Sequence, residues 1–449
     1  MYIRLSHNTK IYRTKEGGYV FNRKMHDHLF FNETGIEWLL AIGRELRNAD
    51  EIVSSLILQY RIEDQQQIID DFNDFIISLI RKGYLIESTN AIDVSEELYN
   101  LTDEEQTVFK TLPELTIEVT SKCNERCIHC YLPNQIKDKG KVLSLEKIQS
   151  IIDDLIELKG TCITFTGGEA MLHPKFKEII RYAKHKGLDV SVLSNLTRLS
   201  NPIIEVLTEA DNSKVQVSLY AITDEIHDTI TKKKGSCKKT KDAIEKLAKM
   251  GIEVTLSMAV MKENYKDVVN VISYADKHNL KLQFDYVLLA QSNLDSSNLN
   301  HRMSLEETED FFRLLMNYNV DFGKKILKKH DYNANEGLED SLCYIANDGC
   351  CISSEGNVYP CPSWQDYALG NIMEQSLIDI WQCSSRLVEL RDVKVKNLKE
   401  CSVCPVRNFC CICLARNYNE NNGDYKKLSK HACDVAYLSQ RIYEEYQNT

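Results

Sequence analysis

Apolar and polar residues alternate in six short runs through the middle of this chain, at 115–120, 162–166, 189–194, 215–219, 252–256 and 282–286. Each run is rich in β-branched residues and reads as a strand. Between them the period lengthens to that of an amphipathic helix, as at 148–158 and 239–250. A strand–helix unit repeated at this spacing predicts an α/β domain built on a parallel sheet.

The first ninety or so residues follow a different pattern. Runs 10–14 and 19–23 flank Glu16-Gly17-Gly18 as in a hairpin, and a third strand covers 26–31. Thr34 and Glu37 match a capping box that opens a helix through Ile42, and a second helix covers 50–60. A third helix carries Ile68, Ile69, Phe72, Phe75, Ile76, Leu79 and Ile80 on one face, with Gly83 as its stop. Three strands and then three helices is a winged-helix order, and winged helices often bind DNA. Here the net charge is −11, and Glu63, Asp64, Asp70, Asp71 and Asp74 cluster about the third helix. That offers phosphates no basic face, so no nucleic-acid partner is expected. The acidic stretch 87–112 reads as a linker and 291–300 as a second break. The expected domains are 1–88, a linker 89–112, a strand–helix domain 113–303, a helical connector 304–338 and a cysteine-rich domain 339–449.

Sixteen cysteines in 449 residues change the picture. The N-terminus lacks the apolar core of a secretion signal, and no run is long enough to span a membrane. A cytoplasmic protein with no membrane partner is expected, and there dense cysteine means metal or redox chemistry rather than disulfides. Three cysteines crowd the loop after the first strand of the strand–helix domain: Cys123, Cys127 and Cys130, spaced C-x3-C-x2-C. They can hold three corners of a cubic iron–sulfur cluster that normally takes four cysteines, leaving one iron open for a substrate or cofactor. A structural zinc site is the alternative, although zinc prefers four ligands in two separated pairs. Gly167-Gly168-Glu169 ends the second strand. Glycines there let a ligand approach the backbone closely, and the glutamate can hold an ammonium group.

These two motifs resemble those of the radical S-adenosylmethionine (SAM) superfamily. The resemblance implies an open, partial (β/α)6 barrel with its chemistry at the C-terminal strand ends. It implies that SAM chelates the open iron of a [4Fe-4S] cluster on the catalytic cysteines Cys123, Cys127 and Cys130. His129 is then expected near the adenine, and Gly167, Gly168 and Glu169 at the methionine end. Ser194, Asn195 and Ser218, with Leu219-Tyr220 beside it, are expected to line the same cleft. One electron, from a flavodoxin or ferredoxin, cleaves SAM to methionine and a 5′-deoxyadenosyl radical that takes hydrogen from the substrate.

The C-terminal hundred residues hold most of the other cysteines. Cys343 and Cys350 precede Gly356-x4-Cys361, followed by Cys401-x2-Cys404-x5-Cys410-x2-Cys413 and finally Cys433. Eight thiolates suit two four-cysteine clusters, with a pair of zinc ribbons as the alternative. The pattern resembles the SPASM extension of radical SAM enzymes that modify peptides, with C-x2-C in place of the usual C-x3-C between Cys410 and Cys413. That resemblance implies one auxiliary [4Fe-4S] cluster on Cys343, Cys350, Cys361 and Cys413. It implies another on Cys401, Cys404, Cys410 and Cys433, making three clusters in all. Cys351 could stand in for Cys350, and Cys411 for Cys410. Cys162, Cys237 and Cys383 read as packed or partly exposed thiols without a role.

The N-terminal unit resembles the PqqD-like peptide-recognition domain. In that family the leader of a precursor peptide adds as a strand to the third strand and packs on the third helix. The resemblance assigns this contact to His26, His28, Leu29, Phe30, Phe31, Phe72 and Phe75, with a pure packing module as the alternative. Together the resemblances imply a peptide maturase of the thioether-forming (sactisynthase or ranthipeptide) type. It would bind a ribosomal precursor peptide and join a cysteine sulfur to a carbon of the core. Carbon–carbon or carbon–oxygen crosslinking, and porphyrin or heme tailoring, are the other readings. Sulfatase-maturing relatives place an aspartate base directly after the Gly-x4-Cys cysteine. Pro362 occupies that position here, which argues against sulfatase maturation and leaves the base unnamed.

Overall fold

A computed structural model describes residues 1–6, 9–14, 17–22, 27–61, 64–88, 111–209, 213–332, 336–339, 342 and 346–447. It divides into two compact units, 1–111 and 112–449.

In the first unit β1 (Tyr2–Leu5) is followed by β2 (Thr9–Thr14), β3 (Gly17–Asn22) and β4 (Asp27–Phe31). Helix α1 (Glu33–Ile42), β5 (Arg47–Asn48), α2 (Ala49–Tyr60), α3 (Gln65–Arg81) and β6 (Leu85–Ser88) complete it. β2, β3 and β4 form an antiparallel meander, and β1 lies between β5 and β6 in a second small sheet. The second sheet departs from the expected order of three strands and three helices. Its strands are four residues or shorter, too brief for alternation to declare them. The predicted turn glycines also sit elsewhere: Gly17 pairs with Thr14 and Gly18 with Arg13, inside the ladder. The predicted capping box gives way to Asn32, whose side chain accepts a hydrogen bond from the Gly35 N–H ahead of Thr34 and Glu37. Ile3, Leu5, Ile36, Leu39, Ile52, Leu56, Phe72, Ile76 and Leu85 make one buried core.

The second unit holds six parallel strands in chain order: β7 (Glu114–Thr120), β8 (Cys162–Gly167), β9 (Asp189–Ser194), β10 (Ser213–Ser218), β11 (Glu253–Ala259) and β12 (Lys281–Asp285). Helices α4 (Asn134–Lys139) and α5 (Leu145–Glu157) follow β7, α6 (Phe176–His185) follows β8, and α7 (Asn201–Thr208) follows β9. Helices α8 (Asp224–Thr231) and α9 (Ser236–Lys249) follow β10, and α10 (Val268–Lys277) follows β11. Strand order without reversal is barrel-type winding; a doubly wound sheet would change direction partway.

Register separates two faces. Ile117, Ile163, Phe165, Val192, Val215, Val217, Val254 and Leu256 are fully buried in the apolar layer. The alternate positions Thr164, Ser191, Gln216, Thr255 and Ser257 are polar and half-buried on the inner face. A barrel lined this way encloses a polar cleft, unlike one filled by branched apolar side chains.

The sheet does not end at β7. Strand β13 (Gly349–Ile352) pairs parallel with β7, and β14 (Asn357–Tyr359) and β15 (Gly370–Asn371) extend it antiparallel to nine strands. The expected boundary at residue 339 is therefore crossed by continuous hydrogen bonding. Helices α11 (Leu305–Tyr318) and α12 (Val320–Leu327) form the expected connector, and Phe311, Phe312, Leu315 and Leu327 pack with Val435, Leu438 and Ile442 of the helix Lys430–Glu445. No helix among the described residues is long and apolar enough to cross a membrane.

Candidate active site

The loop after β7 is tied down on three sides. Arg126 donates to the Cys123 carbonyl at 2.8 Å, closing the loop on itself. The Arg126 and Ile128 N–H groups donate to the carbonyls of Thr231 and Ile230 at the end of α8, each at 3.0 Å. Asn124 donates to Thr197 Oγ1 at 2.7 Å, just beyond β9.

The glycines of Gly167-Gly168-Glu169 act on this loop rather than only on a ligand. Gly167 has φ +146°, and a Cβ there would stand 2.2 Å from the Thr120 carbonyl oxygen. A Cβ on Gly168 would stand 2.4 Å from the Lys122 oxygen and 2.5 Å from that of Ser121. With no side chains in the way, the Gly168 and Glu169 N–H groups donate to the Thr120 and Lys122 carbonyls, each at 2.8 Å. The end of β8 thus lies directly against the start of the cysteine loop.

Glu169 is buried, and its carboxylate accepts from Ser194 Oγ at 2.8 Å, Asn195 N–H at 2.9 Å and Met171 N–H at 3.1 Å. Burial pushes its carboxyl up while those three donors pull it down. Glu169 therefore organises the ends of three adjacent strands as well as offering charge.

Cys123, Cys127, Cys130, His129, Gly167, Gly168, Glu169, Ser194, Asn195 and Ser218 all line one cavity of about 330 Å³ at the C-terminal ends of the strands. Sequence reasoning missed other walls of it. Glu125 lies inside the cysteine motif, Lys137 on α4, Asp285 at the end of β12, and Ser363 just after Cys361 and Pro362. For Asp285 the signal existed: Gln283 and Asp285 share the inner-face parity of Ser257 and Ala259.

The match to known families settles what kind of protein this is. The radical SAM superfamily profile matches residues 117–275, and SPASM, described as an iron–sulfur cluster-binding domain, matches residues 343–405. The chain is a radical SAM/SPASM enzyme. It is similar to the antilisterial bacteriocin subtilosin biosynthesis protein AlbA of Bacillus subtilis, 23% identical over 95% of this chain and 95% of that protein. It is similar to an AdoMet-dependent heme synthase of Methanosarcina barkeri, 26% identical over 69% of this chain and 92% of that protein. Its fold is similar to SuiB of Streptococcus suis, solved bound to precursor peptide SuiA, with TM-score 0.65, 12% identity, and 96% and 100% of the two chains covered.

The cofactors of this radical SAM/SPASM enzyme are [4Fe-4S] iron–sulfur clusters and SAM, and the cavity suits them. Burial, then neighbouring negative charge, raises the Cys127 thiol well above its ordinary range, and burial pushes Cys123 up to about 11. Thiols in such a place become thiolates only against a bound cation. Among the described residues no three Cys, His, Asp or Glu side chains converge on a point that would hold a single ion. Thiolates at separate corners of a cube need no such convergence. Two buried polar atoms of the motif, His129 Nδ1 and Glu125 Oε1, have no hydrogen-bond partner among the described residues. The His129 ring stands edge-on to Tyr220 with centroids 4.7 Å apart, and burial lowers its pKa to about 3, so it stays neutral. A neutral ring with an unused nitrogen suits an uncharged heterocycle.

The SPASM cysteines divide into two neighbourhoods. Cys401, Cys404, Cys410 and Cys433 lie close enough for their charges to oppose one another, and burial pushes Cys401 and Cys410 up to about 12. Cys343 lies outside the described residues. Cys350 and Cys351 occupy opposite faces of β13. Cys350 stands beside Leu115 in the apolar layer, with Trp364 and Trp381 in the same core. Cys351 stands beside Thr116 on the inner face and opposite Tyr359. Cys361 lies just past the end of β14 and packs, like Cys413, against the core that holds Cys350, while the charges of Cys361 and of Cys350 both act on Cys351. Cys413 caps the helix Leu414–Glu420. Of the unassigned thiols, Cys237 is buried, Cys162 is half-buried and Cys383 is exposed.

A hydrogen-bonded bridge joins the two cysteine regions. Buried Glu118 accepts from Tyr131, adjacent to Cys130, at 3.2 Å and from Gln365 at 2.8 Å. Burial pushes the Glu118 carboxyl up to about 7 against these two bonds.

In the first unit, His26 lies outside the described residues, and of His28 and Phe30 only the strand position is described. Leu29 and Phe31 are half-buried against the core. Phe72, expected to meet the peptide, is fully buried with its ring 5.4 Å from Trp38. Phe75 is half-buried between Phe31 and Trp38, at 5.4 and 5.2 Å. Phe72 is thus a core residue, because its place on α3 turns it inward toward α1.

Proposed function

We propose that this radical SAM/SPASM enzyme binds the leader of a ribosomally made precursor peptide and installs thioether crosslinks, cysteine sulfur to carbon, in its core. The observation that carries the peptide reading is likeness over the whole length. The bacteriocin biosynthesis protein matches 95% of both chains, and the fold shared with peptide-bound SuiB covers 96% of this one. The heme synthase, matching 69% of this chain, favours porphyrin tailoring as the second reading. Among the described residues β4 pairs only with β3, so its outer edge can receive a leader as an added strand.

With SAM bound at the cluster on Cys123, Cys127 and Cys130, the cofactor supplies a 5′-deoxyadenosyl radical that takes hydrogen from a core carbon. Gly167, Gly168 and Glu169 would hold the methionine end, with Ser194, Asn195 and Ser218 beside them, and His129 would lie toward the adenine. Of the carboxylates lining the cavity, Glu125, Glu169 and Asp285, we assign the thiol proton to Asp285, which is exposed and has Arg416, Arg302 and Lys329 near enough to act on its charge. We assign Cys351, Cys361, Cys413 and Cys343 to the first auxiliary cluster and Cys401, Cys404, Cys410 and Cys433 to the second. The protein is expected to act in the cytoplasm.

Each bridge forms one S–C bond and breaks one C–H and one S–H bond: the hydrogen atom from carbon would leave with the deoxyadenosyl group, the thiol proton would go to a base, and the remaining electron would pass to an iron–sulfur cluster. The precursor should lose about two mass units per bridge, and thiols open to iodoacetamide should vanish in step. The same mass loss with every thiol still reactive would replace thioethers by carbon–carbon or carbon–oxygen links. An unchanged peptide beside a converted porphyrin would establish the second reading.

A further inference from the structure

A small cavity of about 130 Å³ lies between the end of β12 and the helices Leu414–Glu420 and Lys430–Glu445. Asp285 lines this cavity and the SAM-side cavity alike, so the two spaces share a wall. Its other polar walls include Lys329, Cys410 and Arg416. The two cations are used differently. Lys329 donates to the Ile326 carbonyl at 2.6 Å and lies over the Tyr286 ring, 5.1 Å from its centre. Arg416 reaches only the Val287 carbonyl, at 3.4 Å, and its Nε is buried with no hydrogen-bond partner among the described residues. Burial raises the Cys410 thiol, and the positive charge of Arg416 pulls it back down. Arg416 also meets the other group of cysteines, through its main chain: its N–H donates to Cys413 Sγ at 3.4 Å.

We propose that the Arg416 guanidinium sets the reduction potential of the second auxiliary cluster, holding it higher than the cysteines alone would and making the cluster a readier acceptor of a single electron. This rests on the reading that Cys410 holds that cluster with Cys401, Cys404 and Cys433. Four thiolates give a [4Fe-4S] cluster net negative charge, and reduction adds one more. A fixed positive charge in a partly buried cavity therefore favours the reduced form. Arginine supplies a charge that does not titrate away, and the unused Nε–H is a donor that sulfur can accept. Lys329, held by Ile326 and Tyr286, is less free to do the same.

Three proteins are compared after anaerobic reconstitution: wild type, Arg416→Met, which keeps an apolar stem without charge, and Arg416→Lys, which keeps the charge. Iron is counted, and each cluster's potential is read by redox titration with electron paramagnetic resonance. The signal that Cys410→Ala removes, with about four irons, marks the second auxiliary cluster. In Arg416→Met its one-electron equilibrium should shift about tenfold toward the oxidised form, a potential about 59 mV lower, at unchanged iron content. Arg416→Lys should recover at least half of that shift. The first auxiliary cluster should move far less, because every variant keeps the main-chain N–H that meets Cys413. An unmoved potential in Arg416→Met would overturn the proposal. So would an equal fall in Arg416→Lys, which would trace the effect to packing rather than charge. Iron lost from Arg416→Met would also overturn it, by making Arg416 a support for the cysteine loop. A Cys410→Ala protein with its full complement of iron would bring the proposal down together with the ligand assignment beneath it.

Discussion

Cys350 and Cys351 show how much one position decides. Strand residues alternate faces, so two adjacent thiols on β13 meet opposite surroundings. One is packed with tryptophans and the other faces Thr116 and the charge of Glu118. Anaerobically reconstituted wild-type protein should hold about twelve irons, four for each of three clusters. Cys351→Ala should hold about four fewer and lose one auxiliary signal by electron paramagnetic resonance. Cys350→Ala should keep its irons and lose about 1–2 kcal/mol of stability from the small void in the core. A four-iron loss confined to Cys350→Ala would reverse the assignment, which no reading of spacing alone could make.

At the scale of elements, α3 forms where the sequence predicts a helix, and the structure buries part of the face expected to meet a peptide. Its apolar stripe is broad, and a stripe says which face is buried without saying what lies against it. Phe72 falls at the centre of that face, under Trp38, while Phe75 falls at its margin. Truncating a buried phenylalanine costs about 3–5 kcal/mol. Phe72→Ala should therefore reduce hydrogen-exchange protection across α1–α3 by about a hundredfold or more and leave β7–β12 unchanged. Unaltered protection in α3 would return Phe72 to the surface. The strands β1 and β6 make the same point: each is short, and they pair with each other across about eighty residues of sequence, with β5 on the other side of β1.

At the scale of the whole molecule, the two units have separate cores, and every residue of the barrel cavity belongs to the second. Deleting residues 1–88 should leave peptide-independent SAM cleavage intact and abolish or strongly weaken processing of the full-length precursor. The measurement is 5′-deoxyadenosine by chromatography beside precursor mass. Undiminished processing by the truncated protein would remove the leader role from the N-terminal unit. A deletion starting instead from residue 339 is expected to destroy the cavity, because β13 belongs to the barrel sheet and Ser363 to the cavity wall.

The sequence by itself determined the six parallel strands, the three-cysteine loop and ten of the residues that line the cavity at the strand ends. These are legible because alternation and short-range spacing are local properties, and ligands on one loop must be close in sequence. Tertiary structure alone decided that Gly167 and Gly168 press on the backbone of the cysteine loop and that Glu169 is held by the ends of its neighbouring strands. It also decided that β13 extends the barrel sheet, and that Asp285 and Ser363 share a cavity wall with a loop more than a hundred residues before them. Such contacts depend on which strands become neighbours and on which face a side chain emerges. Those follow from packing of the whole sheet, and no local run of residues encodes them.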